Sequence, residues 1–253
     1  ESKNWLEGNI EKYDRQRCLY IQDLTDFVKL TQYDEWQKLT VAVGGDPTTS
    51  FVQDVSSAIL QRGTLDVLRN PFDILGCRFQ LIYFIPASSR NEDLIKKFQS
   101  NILTVVRQLK YSLKNENSID LVLFINGMPI FTAELKNQFT KQDVDDAVRQ
   151  YKSNRLPKGE PFLQFGRCLA HFAVDLKNVK MCTHLDGLKS RFLPFDKGNA
   201  GGAGNPYRTI TNSYPTDYLW RNTWSKITIL NLLQYFMLHE PVKDKLKRGK
   251  SKK

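Results

Sequence analysis

The stretch IDLVLFINGMPIFTAELKNQ, residues 119–138, constrains this chain most. Two apolar runs flank an Asn-Gly pair, the strongest short-range signal of a β-hairpin. A hairpin apolar on both faces belongs inside a sheet that is covered on both sides. Charges then belong at its ends. Asp120 opens the first strand, and Glu134 and Lys136 close the second.

Parity decides whether these charges meet. Glu134 and Lys136 are two apart in a strand and project from one face. A two-residue turn at Asn126-Gly127 pairs Asp120 with Ala133 and points it away from Glu134. A three-residue turn of Ile125, Asn126 and Gly127, with Gly127 left-handed, places Asp120 on the face of Glu134. Convergence therefore requires the three-residue turn or an equivalent bulge. The residues also admit a structural reading, with Asp120 in a turn and Glu134/Lys136 as an edge ion pair.

The flanking pattern predicts a mixed α/β architecture. Helical spacing marks residues 21–43 and SFVQDVSSAILQRG (50–63), which stops at Gly63. TLDVLR and CRFQLIYF read as strands, NEDLIKKFQSN (91–101) as a helix and LTVVRQLKYS (103–112) as a strand. After the hairpin, TKQDVDDAVRQYKSNR (140–155) reads as a helix. Thr140 and Asp143 form a variant capping box there, and Val144, Ala147, Val148 and Tyr151 share one face. RCLAHFAVD and VKMCTHL supply further strands. Residues 194–216 form a long loop, and WSKITILNLLQYFMLHE (224–240) an amphipathic helix. The order strand, hairpin, helix, strand predicts a mixed sheet with helices packed on it. A single domain over 1–253 is expected: an N-terminal region (1–90), a core of about 91–185, the loop and helix at 194–240, and a basic tail at 243–253.

Composition narrows the function. The chain is 41% hydrophobic and 25% charged, an ordinary globular balance. No apolar run reaches the roughly 20 residues of a membrane span, and no signal peptide is visible at the start. Cys18, Cys77, Cys168 and Cys182 form no CxxC pair or zinc spacing and read as buried thiols in a reducing cytoplasm. His171, in a strand-like run, reads as structural. The net charge of +10 suggests a polyanion partner, but the tail KDKLKRGKSKK carries seven Lys/Arg against one Asp, so +6 of it, leaving +4 for the body. No Ser or Cys hydrolase constellation is present.

The hairpin charges suit phosphodiester hydrolysis. Two carboxylates, Asp120 and Glu134, supply hard oxygen ligands for Mg²⁺, with the Leu135 carbonyl as a further ligand. The metal polarises the phosphate and activates bound water. Lys136 beside that water can orient it and neutralise developing charge.

Asp-x13-Glu-x-Lys across a hairpin resembles the PD-(D/E)xK nuclease core, with Ile119 in place of the Pro. The wider stretch resembles the N-terminal endonuclease domain of the R (restriction) subunit of type I restriction–modification enzymes. TQYDEW, RGTLDVLR, AVRQYKSNR, FAVD, FLPFDKG, GAGNP and YLW follow the same order. The resemblance implies a restriction-endonuclease-like fold with extra helices at both ends. It implies the activity of a type I site-specific deoxyribonuclease, with Asp120 and Glu134 binding Mg²⁺ and Lys136 catalytic. It further implies double-stranded DNA as substrate, methyltransferase and specificity subunits as partners, and a cytoplasmic location. The family's Gln-x3-Tyr element maps Gln150 onto its Gln, while position 154 is Asn rather than Tyr. Gln150 lines up with Asp146 and Asn154, so that helix edge is expected toward the catalytic cleft. Arg149, Lys152 and Arg155 are expected on a solvated polar face or on DNA. The full subunit also uses ATP, yet no ATP site is expected here. Gly249-Lys250-Ser251 has Asp244 where a Walker A loop needs Gly. The alternative reading is a catalytically silent nuclease-like module for DNA binding or subunit docking.

Overall fold

The computed structural model describes residues 5–88, 90–137, 141–206 and 213–238. The chain opens with strand β1 (Leu6–Glu7) and a small hairpin, β2 (Tyr13–Asp14) with β3 (Leu19–Tyr20). Four helices follow: α1 (Ile21–Thr31), α2 (Tyr33–Val43), α3 (Thr48–Arg62) and α4 (Thr64–Arg69). A second small hairpin, β4 (Phe72–Ile74) with β5 (Cys77–Phe79), leads to α5 (Glu92–Gln99). Then come β6 (Leu103–Lys110), β7 (Ser118–Ile125), β8 (Met128–Leu135) and α6 (Val144–Asn154). The chain continues through β9 (Ala170–Val174), β10 (Val179–Cys182) and β11 (Leu193–Pro194) to α7 (Lys226–Asn231).

Among the described residues, seven strands form one mixed sheet in the order β1-β6-β7-β8-β9-β10-β11. The β1/β6 and β8/β9 pairs are parallel and the others antiparallel. Parallel pairing of β8 with β9 requires a crossover, and α6 lies within it. The fold is α/β, as expected.

The two faces of β8 separate by parity. Phe131 and Ala133 join the large core that includes residues of α1–α4 and α7, together with Phe172 and Val174 of β9. Thr132 and Glu134 look the other way, toward α6, where Thr132 meets Tyr151 and Glu134 meets Arg155. Tyr151 is fully buried, as its place in the apolar stripe predicts. Its hydroxyl lies 2.8 Å from Thr132 Oγ1, which also lies 2.8 Å from His171 Nδ1. His171 is thus a satisfied buried residue, and burial pushes its pKa down to about 3.

Several boundaries differ from expectation. Residues 21–43 are two helices, because Gln32 (φ −144°) breaks the run and its amide bonds both ways with the Gln80 backbone. TLDVLR is helix α4, not a strand. Leu65, Val67 and Leu68 are all buried, so no exposed face reveals the period. In CRFQLIYF only Cys77–Phe79 is strand; beyond it Gln80 is claimed by Gln32 and so leaves the ladder. The last helix is α7 followed by a π-helical stretch, Leu232–Phe236. The N-cap of α6 is Asp143, in a reciprocal capping box with Asp146. Thr140 lies outside the described residues, as do His239 and the 243–253 tail. The four cysteines are free and buried.

Candidate active site

The hairpin turn is a two-residue one. Ile125 pairs with Met128, and Asn126 (φ 47°) and Gly127 (φ 80°) are both left-handed. The expected three-residue turn is therefore incorrect, although Gly127 has the expected positive φ. Parity is restored one step further on. Phe124 pairs with Pro129, but Leu123 pairs with Phe131, so Ile130 is an extra residue that shifts the register. Leu121 then pairs with Ala133, and continuing that register brings Asp120 opposite Glu134. The bulge is forced by packing. Ile130 is fully buried, and Gly127 is pinned beside α1, where a Cβ would lie 2.4 Å from the Tyr20 carbonyl.

Asp120 is held at both oxygens. Oδ1 accepts from Gln108 Nε2 and Oδ2 from the Leu135 backbone N–H, each at 2.8 Å. Glu134 is fully buried. Its Oε1 accepts from Arg155 Nε at 2.8 Å, while Oε2 accepts no hydrogen bond. Burial pushes the Glu134 pKa up to about 8, opposed by Arg155 and reinforced by the neighbouring Asp120 charge. Lys136 donates from Nζ to Gln150 Oε1 at 2.6 Å.

The edge of α6 carrying Asp146, Gln150 and Asn154 lines, with Lys136, Gln142 and Arg149, a polar cleft of about 250 Å³. A larger cavity of about 560 Å³ is mostly apolar, lined by Phe131, Phe172, Met181 and Phe195 among others. Phe131 and Phe172 belong to the opposite sheet face, so this cavity is not part of the carboxylate cluster.

Arg155 departs from expectation. It is 7% exposed, far from a solvated face. Besides Glu134, it donates to the Ser118 carbonyl at 2.7 Å and lies 5.9 Å from the centre of the Tyr111 ring. A signal was present: Arg155 is four residues beyond Tyr151 and extends the buried stripe by one turn. Gln108, the partner of Asp120, carries no comparable signal.

The donor set fits a divalent cation. Two carboxylates lie together, and Glu134 Oε2, buried and accepting no hydrogen bond from an N–H or O–H donor, has the Asp120 carboxyl as its neighbour. Two acids side by side, one of them buried, are costly when both are charged unless a proton or a cation lies between them. Among the described residues no group of three or more His, Cys, Asp or Glu forms a metal cluster. Any cation here would therefore rest on two side-chain carboxylates and backbone or solvent oxygens, the pattern of Mg²⁺ rather than zinc.

Residues 86–190 match the family described as the type I restriction enzyme R protein N terminus. The matched region contains the whole hairpin, α6 and β9, and with them Asp120, Glu134, Lys136, Gln150 and Arg155. The resemblance read from the motifs is borne out over that span. TQYDEW, RGTLDVLR, FLPFDKG, GAGNP and YLW fall outside it. No curated protein matches the chain. Among the described residues no helix is long and apolar enough to cross a membrane.

Proposed function

We propose that this chain is a Mg²⁺-dependent DNA endonuclease domain that acts within a cytoplasmic type I restriction complex against foreign DNA. The observation that carries this reading is the Ile130 bulge, which brings Asp120 opposite Glu134 on the sheet face that meets Gln150-bound Lys136. Asp120, Glu134 and the Leu135 carbonyl would hold the metal. When bound, Mg²⁺ supplies charge neutralisation of the phosphate and a more acidic water. Lys136 orients the attacking water with its ammonium group and neutralises charge that develops on the phosphate. Gln150 accepts one Lys136 proton in a hydrogen bond and so fixes where the ammonium points. DNA is bound through its backbone without base reading, because phosphate contacts position without specifying. Site choice would fall to the specificity subunit, alongside the methyltransferase subunit. ATP would be used elsewhere in the complex.

The test is nicking of supercoiled plasmid by this chain with Mg²⁺ or Mn²⁺, beside Lys136→Ala. Cleavage should fall by orders of magnitude in the variant. Its stability should change by less than about 1 kcal/mol, since Lys136 follows the last residue of β8 and is only half-buried. A variant that cuts like the wild type refutes the assignment.

A second reading draws on the Arg155–Glu134 pair. A guanidinium that already neutralises Glu134 could mark a silent module that binds DNA or docks subunits without cutting. Metal-independent DNA binding with no nicking, in the isolated chain and in the assembled complex, would favour it.

A further inference from the structure

We propose that Gln108 is a positioning residue for Asp120, its backbone held in a left-handed conformation so that its amide fixes that carboxylate beside Glu134. The proposal rests on the reading of Asp120 and Glu134 as cation ligands.

Gln108 sits in β6 with φ 50°. Among the described residues it is the only non-glycine residue inside a strand with positive φ. The others lie outside the strands, where chain reversal explains such values at Leu75 and Asn126. Pairing of β6 with β7 is regular at Arg107↔Leu121 and at Leu109↔Ile119, and skips only the position between, Gln108 opposite Asp120. The backbone departure is thus confined to the residue that faces the candidate ligand. Glycine would adopt this conformation without strain, so the side chain is what glutamine adds.

That side chain is fixed at both ends of its amide. Oε1 accepts from Ser118 Oγ at 3.0 Å, which turns the NH₂ group to Asp120 Oδ1 at 2.8 Å. With Leu135 N–H on Oδ2, the carboxylate cannot rotate without losing a bond. Each oxygen keeps a further lone pair for a cation. This is the arrangement by which groups behind a ligand orient it for its metal.

The experiment titrates Mn²⁺ without DNA into wild type, Gln108→Gly and Asp120→Ala, following loss of the free-ion electron paramagnetic resonance signal. Urea unfolding is measured on the same samples. Gln108→Gly should bind Mn²⁺ about tenfold more weakly. Its unfolding midpoint should not fall, because glycine relieves the left-handed backbone. Wild-type Mn²⁺ affinity in Gln108→Gly, with binding abolished in Asp120→Ala, overturns the positioning role and leaves the metal site standing. Undiminished binding by Asp120→Ala overturns the metal site and the positioning role together. Loss of affinity accompanied by a comparable loss of stability makes Gln108 structural and also overturns the proposal.

Discussion

At the scale of single residues, Glu134 is the most consequential side chain. It is fully buried, with one oxygen on Arg155 and the Asp120 carboxyl beside it. Its folded pKa of about 8 lies above the ordinary 4.5. The neutral form is therefore favoured in the folded state, so its contribution to stability is complete below about 4.5. That contribution is lost as pH rises through about 8. In metal-free protein, the stability of wild type relative to Glu134→Gln should fall steadily from pH 5 to pH 8. Denaturant melts across that range check this, and parallel curves for the two proteins contradict it. Glu134 and Lys136 were legible in the sequence because strand periodicity places them on one face. The guanidinium on Glu134 was legible only in part: Arg155 extends the buried stripe by a turn where Arg149 does not, but nothing local names Glu134 as its partner.

At the scale of elements, the hairpin and α6 together make the site. Gly127 locks the hairpin tip to α1: it has φ 80°, and an added Cβ would meet the Tyr20 carbonyl at 2.4 Å and the Leu24 nitrogen at 2.8 Å. Those contacts are backbone and cannot yield cheaply. Gly127→Ala should cost at least about 1–3 kcal/mol from the backbone strain alone, read as a lower urea midpoint. Helix α6 begins at a reciprocal Asp143/Asp146 capping box, and Val144, Ala147 and Tyr151 seat it on the sheet. This seating sets the height of Gln150 over Lys136. On the proposed function, Gln150→Ala should slow cleavage severalfold or more in the assembled complex and leave the recognised sites unchanged. A wild-type cleavage rate would remove Gln150 from the site.

At the scale of the whole molecule, the sheet has two unlike faces. One supports the carboxylates and α6. The other is an aromatic layer in which Phe172 meets Phe131, Phe195 and Trp224 nearly edge-on, at ring-centre distances of 5.3–5.5 Å. This layer ties the C-terminal helical segment to the sheet. Phe172→Ala should cost about 3–5 kcal/mol through lost burial and a residual cavity. Calorimetry should show a lower melting temperature. The Mn²⁺ binding proposed for the candidate site should persist below that temperature, since Phe172 and Ala173 project to opposite faces of β9.

Features that depend on neighbours in the chain could be read before any folding was known. The apolar hairpin, the shared face of Glu134 and Lys136 and the Val144–Tyr151 stripe all follow from strand and helix periods. Features that depend on distant partners emerged only in the folded chain. The two small apolar segments TLDVLR and CRFQLIYF lack a decisive period, so the groups around them chose their conformation. At the tip of the hairpin, Asn126 is left-handed (φ 47°) and its side chain bonds the Ile102 N–H, the Leu81 carbonyl and Asn101, distant groups that hold the two-residue turn. Asp120 then reaches the face of Glu134 only because the fully buried Ile130 bulges out of the ladder. A period-2 strand carries no mark of where an extra residue will be absorbed. That choice belongs to the side chains that close the core around it, and here the convergence of the candidate site depends on it.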